Sequence, residues 1–126
     1  MAKRKVTKLF QILLIFICSL CFVSMLYTNC TTGKPTILGI RPMFVCSGSM
    51  EPTIRTYSVI LSVPIDADDV EKGDIVTYRN ANGTIICHRV IDITDEGYFK
   101  FKGDNNSKED KQLVSPEQIL YKIIWY

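Results

Sequence analysis

Three kinds of side chain in this 126-residue sequence have the chemistry to open a polar bond. They are the serines of Ser47-Gly48-Ser49, the lone histidine His88, and the carboxylates Asp104 and Asp110. A serine hydroxyl is a weak nucleophile at its own pKa and needs a base to take its proton. Histidine titrates in the range that suits such a base. The imidazole then needs a carboxylate to fix its tautomer and stabilise its charged form. These residues are therefore the parts of a nucleophile, a base and an orienter. Two of these also have a plainer reading: Ser-Gly-Ser as a tight turn and a single strand histidine as a structural residue. The apolar neighbours Met43, Phe44, Val45, Met50 and Ile54 are unusual around an ordinary turn.

Positioning such groups requires a rigid frame, and the pattern from Val45 onward is mostly β. Ser58–Val63 is a short apolar strand, and Asp74–Arg79 follows a turn at Gly73. Asn-Ala-Asn-Gly at 80–83 reads as a hairpin turn into Thr84–Ile93, which carries His88. Ile86, His88 and Val90 should share one face of that strand, with Cys87 and Arg89 on the other. Asp95–Gly97 turns into the alternating Tyr98–Gly103, and a polar loop, Asp104–Gln112, holds both candidate acids. Ser115–Ile119 has a weak helix start, with Pro in the first turn. The closing Ile-Leu-Tyr-Lys-Ile-Ile-Trp-Tyr reads as a last strand and is too short for a membrane span. Asp74 reads as a structural residue at a strand start.

The first 43 residues differ in character. Lys3, Arg4, Lys5 and Lys8 carry four positive charges against a total of +2, which leaves the rest of the chain at −2. A basic head on a weakly acidic body does not suit nucleic-acid binding, which needs a basic face on the folded domain. No charge occurs from Leu9 to Gly33, and Phe10–Tyr27 is apolar except for Gln11, Ser19 and Ser24. As a helix that stretch spans roughly 27 Å, about one bilayer core. A cleaved signal peptide would have a shorter apolar run and small residues at the cut. Tyr27-Thr28-Asn29 does not fit, so the expectation is an uncleaved anchor. The lysines then stay in the cytoplasm and the body lies outside. The expected division is a basic tail at 1–8, a transmembrane helix at 9–28, a linker at 29–43 and an extracytoplasmic domain at 44–126. Gly33, Pro35, Gly39 and Pro42 argue against helix in the linker.

There are five cysteines, at 18, 21, 30, 46 and 87, with no zinc-ligand spacing. Cys46 and Cys87 are expected to be free thiols, because strand alternation turns Cys87 away from His88.

Four boxes occur in order: Ser-Gly-Ser-Met-Glu-Pro-Thr-Ile from Ser47, Lys-Gly-Asp-Ile-Val-Thr-Tyr-Arg from Lys72, Cys-His-Arg-Val from Cys87 and Phe-Lys-Gly-Asp-Asn-Asn from Phe101. In this order and spacing the chain resembles the type I signal peptidases. It is most similar to the Ser/His branch of the endoplasmic reticulum, archaea and endospore-forming bacteria. The likeness runs from about Gly39 to the end and includes the anchor. It implies a mainly β catalytic domain with one N-terminal transmembrane helix. It implies a membrane-bound serine endopeptidase that cleaves N-terminal signal peptides from exported precursors, with small residues at −1 and −3, and that needs no metal or organic cofactor.

By position, Ser49 would be the nucleophile and His88 the general base, where other branches have a lysine. Neither Lys72 nor Lys102 replaces that lysine. Ser47 would contribute its hydroxyl to an oxyanion hole beside the Ser49 backbone N–H. Asp110 fits the third member of the triad, with Asp104 as the alternative acid or a support for the loop. Met50 and Pro52 would contact substrate, and an extended peptide would pair with a strand edge. Many relatives carry Thr or Ser where this chain has Cys87. The branch includes both stand-alone enzymes and members of multi-subunit complexes. Two rivals stand against this reading. A self-cleaving repressor would use lysine and lack an anchor, and a catalytically inactive secretion accessory would bind precursors without cutting them.

Overall fold

The computed structural model describes residues 2–126, with side chains from Val6 onward, as two units divided after Gly39. The first unit is dominated by helix α1, Ala2–Thr32. It outruns the expected 9–28 segment at both ends, because no Gly or Pro precedes Gly33. Within it, Val6–Thr32 is long and apolar enough to cross a membrane. The side chains of the basic residues at 3, 4 and 5 lie outside the described residues. Gly33, at φ +65°, ends the helix and donates its N–H to Asn29 O at 3.1 Å. That left-handed φ is the usual helix stop and favours glycine. The chain then turns back on the helix: Thr36 N–H donates to Thr28 Oγ1 at 2.9 Å and Leu38 N–H to Ser24 Oγ at 3.0 Å. This part of the expected linker is therefore hydrogen-bonded to the last helical turns.

The second unit, Ile40–Tyr126, is a six-stranded antiparallel sheet. Its strands are β1 (Arg41–Phe44), β2 (Val59–Pro64), β3 (Ile75–Arg79), β4 (Ile85–Ile93), β5 (Phe99–Lys102) and β6 (Ile119–Trp125). Their spatial order is β1-β2-β6-β3-β4-β5. The C-terminal apolar run thus becomes an interior strand between β2 and β3. β1 occupies the last part of the segment expected as linker, 29–43, and the first residue of the expected domain. Pro42 argues only against helix, and β1 lies at the sheet edge, where a missing N–H is tolerated in a strand. The weak helix signal near Ser115 is a single 3-10 turn, Pro116–Gln118.

The buried apolar side chains form two clusters. Val76, Tyr78, Val90, Phe99, Phe101, Val114 and Ile119 form one core cluster. Ile75, Ile60 and Ile123 form the other with Met50 and Ile54. Successive residues Ile75 and Val76 enter different clusters, as strand alternation requires. Cys87 packs against the second cluster, while Ile86 packs against the first. Asp74, ahead of β3, pairs with Lys122 of β6 at 2.7 Å and accepts the Glu71 N–H, a structural use.

A candidate active site at the sheet edge

The connection from β1 to β2 carries the Ser-Gly-Ser motif. It is pinned to the sheet by Met50 and Ile54, which are 2% and 1% exposed. Ile54 N–H donates to Met50 O at 2.9 Å, so the two apolar side chains descend from one tight turn. Burying two such side chains contributes about 1.5–3 kcal/mol each. That anchorage explains the apolar flanks: they hold a polar turn at a fixed height above the sheet.

Above that anchorage, Ser49 Oγ lies 3.1 Å from His88 Nε2. His88, on β4 and 8% exposed, has its Nδ1 2.7 Å from Asp110 Oδ2. An ionised carboxylate only accepts, so Nδ1 carries the proton and Nε2 is left as the acceptor for the serine hydroxyl. Asp110 itself is set by the backbone of β5, where its N–H donates to Phe101 O at 2.8 Å. Ser47 Oγ lies 3.3 Å from Ser49 Oγ, on the same turn.

Asp104, the other candidate acid, does not meet His88. Its carboxylate is taken by Arg89, whose Nε donates to Oδ1 at 2.9 Å and Nη2 to Oδ2 at 2.6 Å. Thr53 adds a hydroxyl donor at 2.6 Å. The Arg89 hydrogen bonds hold the Asp104 carboxyl below the usual aspartate range. Arg89 is next to His88 in sequence and points the other way, so alternation sends the two acids to different partners. Asp104 thereby clasps the turn that follows Ser49 to β4.

The same loop holds the motif from a second side. Asn105 N–H donates to Ser49 O at 2.9 Å and its Nδ2 to Gly48 O at 3.0 Å. Gly103 packs so closely that an added Cβ would lie 2.6 Å from Ser49 O and 2.7 Å from Asn106 Nδ2. The Phe-Lys-Gly-Asp-Asn-Asn box is thus a clamp on the serine turn. Sequence reasoning named its aspartate and missed Gly103, Asn105, Thr53 and the Arg89 partner. The signal was present in the box itself, as a glycine flanked by side chains that hydrogen-bond to backbone.

A cavity of about 540 Å³ opens beside Ser49. Met43, Val45, Met50, Ile54, Ile60 and Cys87 give it an apolar wall, with Ser47, Ser49 and His88 on its border. Of the two residues expected to contact substrate, Met50 lines this cavity, while Pro52 is exposed and is not among the lining residues. Ile85 to His88 also line the cavity. On one side these residues pair with β3, while pairing to β5 begins only at Arg89. Among the described residues the other edge of that half-strand has no strand partner. Cys46 and Cys87 both line the cavity as free thiols, and burial pushes the Cys87 thiol up to about 12. Among the described residues no three His, Cys, Asp or Glu side chains converge as metal ligands.

A mainly β domain behind one apolar helix, with Ser, His and Asp in hydrogen-bond series, defines a class of candidate serine hydrolases. No family model matches the chain. Over 96 residues, 73% of this chain and 50% of the relative, it is 41% identical to signal peptidase I W of Bacillus subtilis. It is 37% identical over 83 residues to the putative signal peptidase complex catalytic subunit SEC11B of Homo sapiens, covering 61% and 49% of the two chains. The human catalytic subunit SEC11C is likewise 37% identical over 79 residues, 59% and 41%. The chain is a homologue of the type I signal peptidases, of the endoplasmic-reticulum and Bacillus type. It spans about half the length of the curated relatives it matches.

Proposed function

We propose that this protein is a membrane-bound serine endopeptidase that removes signal peptides from exported precursors. The observation that carries the reading is the unbroken series Ser49–His88–Asp110 at the mouth of an apolar cavity, in a homologue of signal peptidases. His88 Nε2 takes the Ser49 proton as Oγ attacks the scissile carbonyl, and Asp110 stabilises the imidazolium that forms. The oxyanion is met by the Ser49 backbone N–H and the Ser47 hydroxyl. The imidazolium then gives its proton to the leaving amine, and water, activated by the same base, releases the acyl group.

The precursor lies extended along the open edge of Ile85–His88, where backbone groups are free for β-pairing. Small side chains before the cut enter the apolar cavity. Asp104 acts through structure, by holding the serine turn. Helix α1 is the anchor, with its basic end in the cytoplasm and the sheet domain on the far side. Confining enzyme and precursor to one bilayer raises their effective concentration. Cleavage of a model precursor by the purified chain in detergent or lipid, lost on Ser49→Ala, tests the reading. An inactive precursor-binding accessory would leave every precursor whole in that assay.

A further inference from the structure

Asp110 Oδ2 accepts two hydrogen bonds of 2.7 Å, one with His88 Nδ1 and one from the hydroxyl of Tyr78. Tyr78 has no place in the serine–histidine–aspartate scheme, yet it is among the most firmly held residues in the domain. It is 4% exposed, and its ring stacks on Phe101 with centroids 4.5 Å apart. Phe101 O is also the acceptor for the Asp110 N–H. On β3, Tyr78 stands opposite Ile86 and Val76 opposite His88, so Tyr78 and His88 share a face two positions apart. Burial and the Asp110 charge both raise the phenol above the usual tyrosine range, so it remains a proton donor.

The other charged groups near the carboxylate are differently occupied. Lys102 of β5 and Lys108, Glu109 and Lys111 of the loop border an open depression beside Asp110, in contact with water. Asp104 is held by Arg89, and Ser49 meets the histidine from its other nitrogen. Tyr78 is therefore the uncharged donor that shares one oxygen with the imidazole.

We propose that Tyr78 is a positioning residue of the reaction: its hydroxyl holds Asp110 Oδ2 in line with His88 Nδ1 and disperses part of the carboxylate charge. This rests on the reading of Ser49, His88 and Asp110 given above. A donor to a carboxylate stabilises its charged form without help from the histidine. A carboxylate already satisfied in this way attracts an imidazolium less. The phenol thus sets how low the pH can fall before the base takes up a proton, and it limits the swing of the carboxylate.

The test compares the full-length wild-type chain with Tyr78→Phe, which keeps the stacked ring, and with a chain carrying 3-fluorotyrosine at position 78, whose more acidic hydroxyl is a stronger donor. Tyr78→Phe should move the acid limb of the kcat/KM profile upward by about half to one pH unit, a fraction of what a hydrogen bond to a charged group carries. Plateau kcat should fall by about 5–50-fold through loosened geometry, with KM little changed. The fluorinated chain should move the limb downward. In an Asp110→Asn background Tyr78→Phe should shift nothing further. Because His88 is the only histidine in the sequence, imidazole NMR reads the same shifts without any activity.

An unmoved limb and an unmoved His88 titration, with or without a slower rate, would overturn the proposal, as would shifts of the same sign in both variants. If Tyr78→Phe fails to fold, the fluorinated chain decides alone. A wild-type chain that cleaves no precursor would defeat the functional reading instead, and the NMR titration would still judge Tyr78.

Discussion

Gly103→Ala puts one methyl group into the tightest contact of the site. The new Cβ would lie 2.6 Å from the Ser49 carbonyl oxygen and 2.7 Å from Asn106 Nδ2. Asn106 can rotate away. Ser49 O cannot, because it belongs to the backbone of the turn that Met50 and Ile54 anchor. Reaching ordinary van der Waals distance therefore requires the loop and the turn to separate by ~0.8 Å. The Asn105 N–H to Ser49 O bond, now 2.9 Å, would then pass beyond hydrogen-bonding range.

Overpacking of this kind costs about 1–3 kcal/mol. For a domain of this size that lowers Tm on the order of 5–20 °C. The same displacement moves Asp110 and Ser49 relative to His88, and misplacement near 1 Å costs about 100-fold in rate. Precursor cleavage and thermal melting of the one variant measure both effects. Adding Asn106→Ala should restore little, because it removes only the side-chain contact. Activity within twofold of wild type, or full rescue by Asn106→Ala, would refute the reasoning.

Three further outcomes are expected. Ser49→Ala should abolish cleavage with Tm unchanged, while Ser47→Ala should slow it by about 10²–10³, the scale of one oxyanion donor; equal and total loss from both would contradict the division of roles. Asp104→Asn should cost about 1–3 kcal/mol near neutral pH by removing the carboxylate partner of the partly buried Arg89, which keeps only its bond to Gly73 O, a value reduced from the fully buried case because Arg89 is about one-third exposed. Since the folded Asp104 pKa lies below its unfolded value, this stabilisation is present above the ordinary aspartate range and is lost as pH falls through the folded pKa. Denaturant titrations of the two chains should therefore converge in acid, and a gap that persists at the lowest pH would refute the clasp. In native protein near pH 8, alkylation should modify exposed Cys46 and spare Cys87, whose thiol burial pushes up to about 12. Mass spectrometry of native and denatured samples measures this, and fast native labelling of Cys87 would contradict it.

Local patterns carried much of this protein in readable form. An uncharged run from Leu9 to Gly33 satisfies its own backbone in lipid as a helix, whereas the sequence places the helix end at 28 and the structure carries it to Thr32, with Gly33 at positive φ. The alternation around His88 separates Arg89 and Cys87 from Ile86 and Val90, because successive strand side chains must oppose. Ser49, His88 and an acid of the 104–112 loop were legible as residue types whose chemistry is interdependent. What remained open was every choice that depends on which backbone passes which. Asp104 and Asp110 sit six residues apart in one polar loop, and no local rule separates them. Tertiary structure does so through the sheet: Arg89 and His88 leave β4 on opposite faces, and each draws one carboxylate. β1 is hidden because Gly39 and Pro42 exclude helix and read as linker, whereas an edge position lets a proline-containing segment pair as a strand. Tyr78 reads as one more apolar strand residue until β3 lies beside β4 and brings its hydroxyl to Asp110. Contacts of that kind join residues 32 and 57 positions apart, Tyr78 with Asp110 and Asn105 with Gly48, and only the packed sheet brings them together.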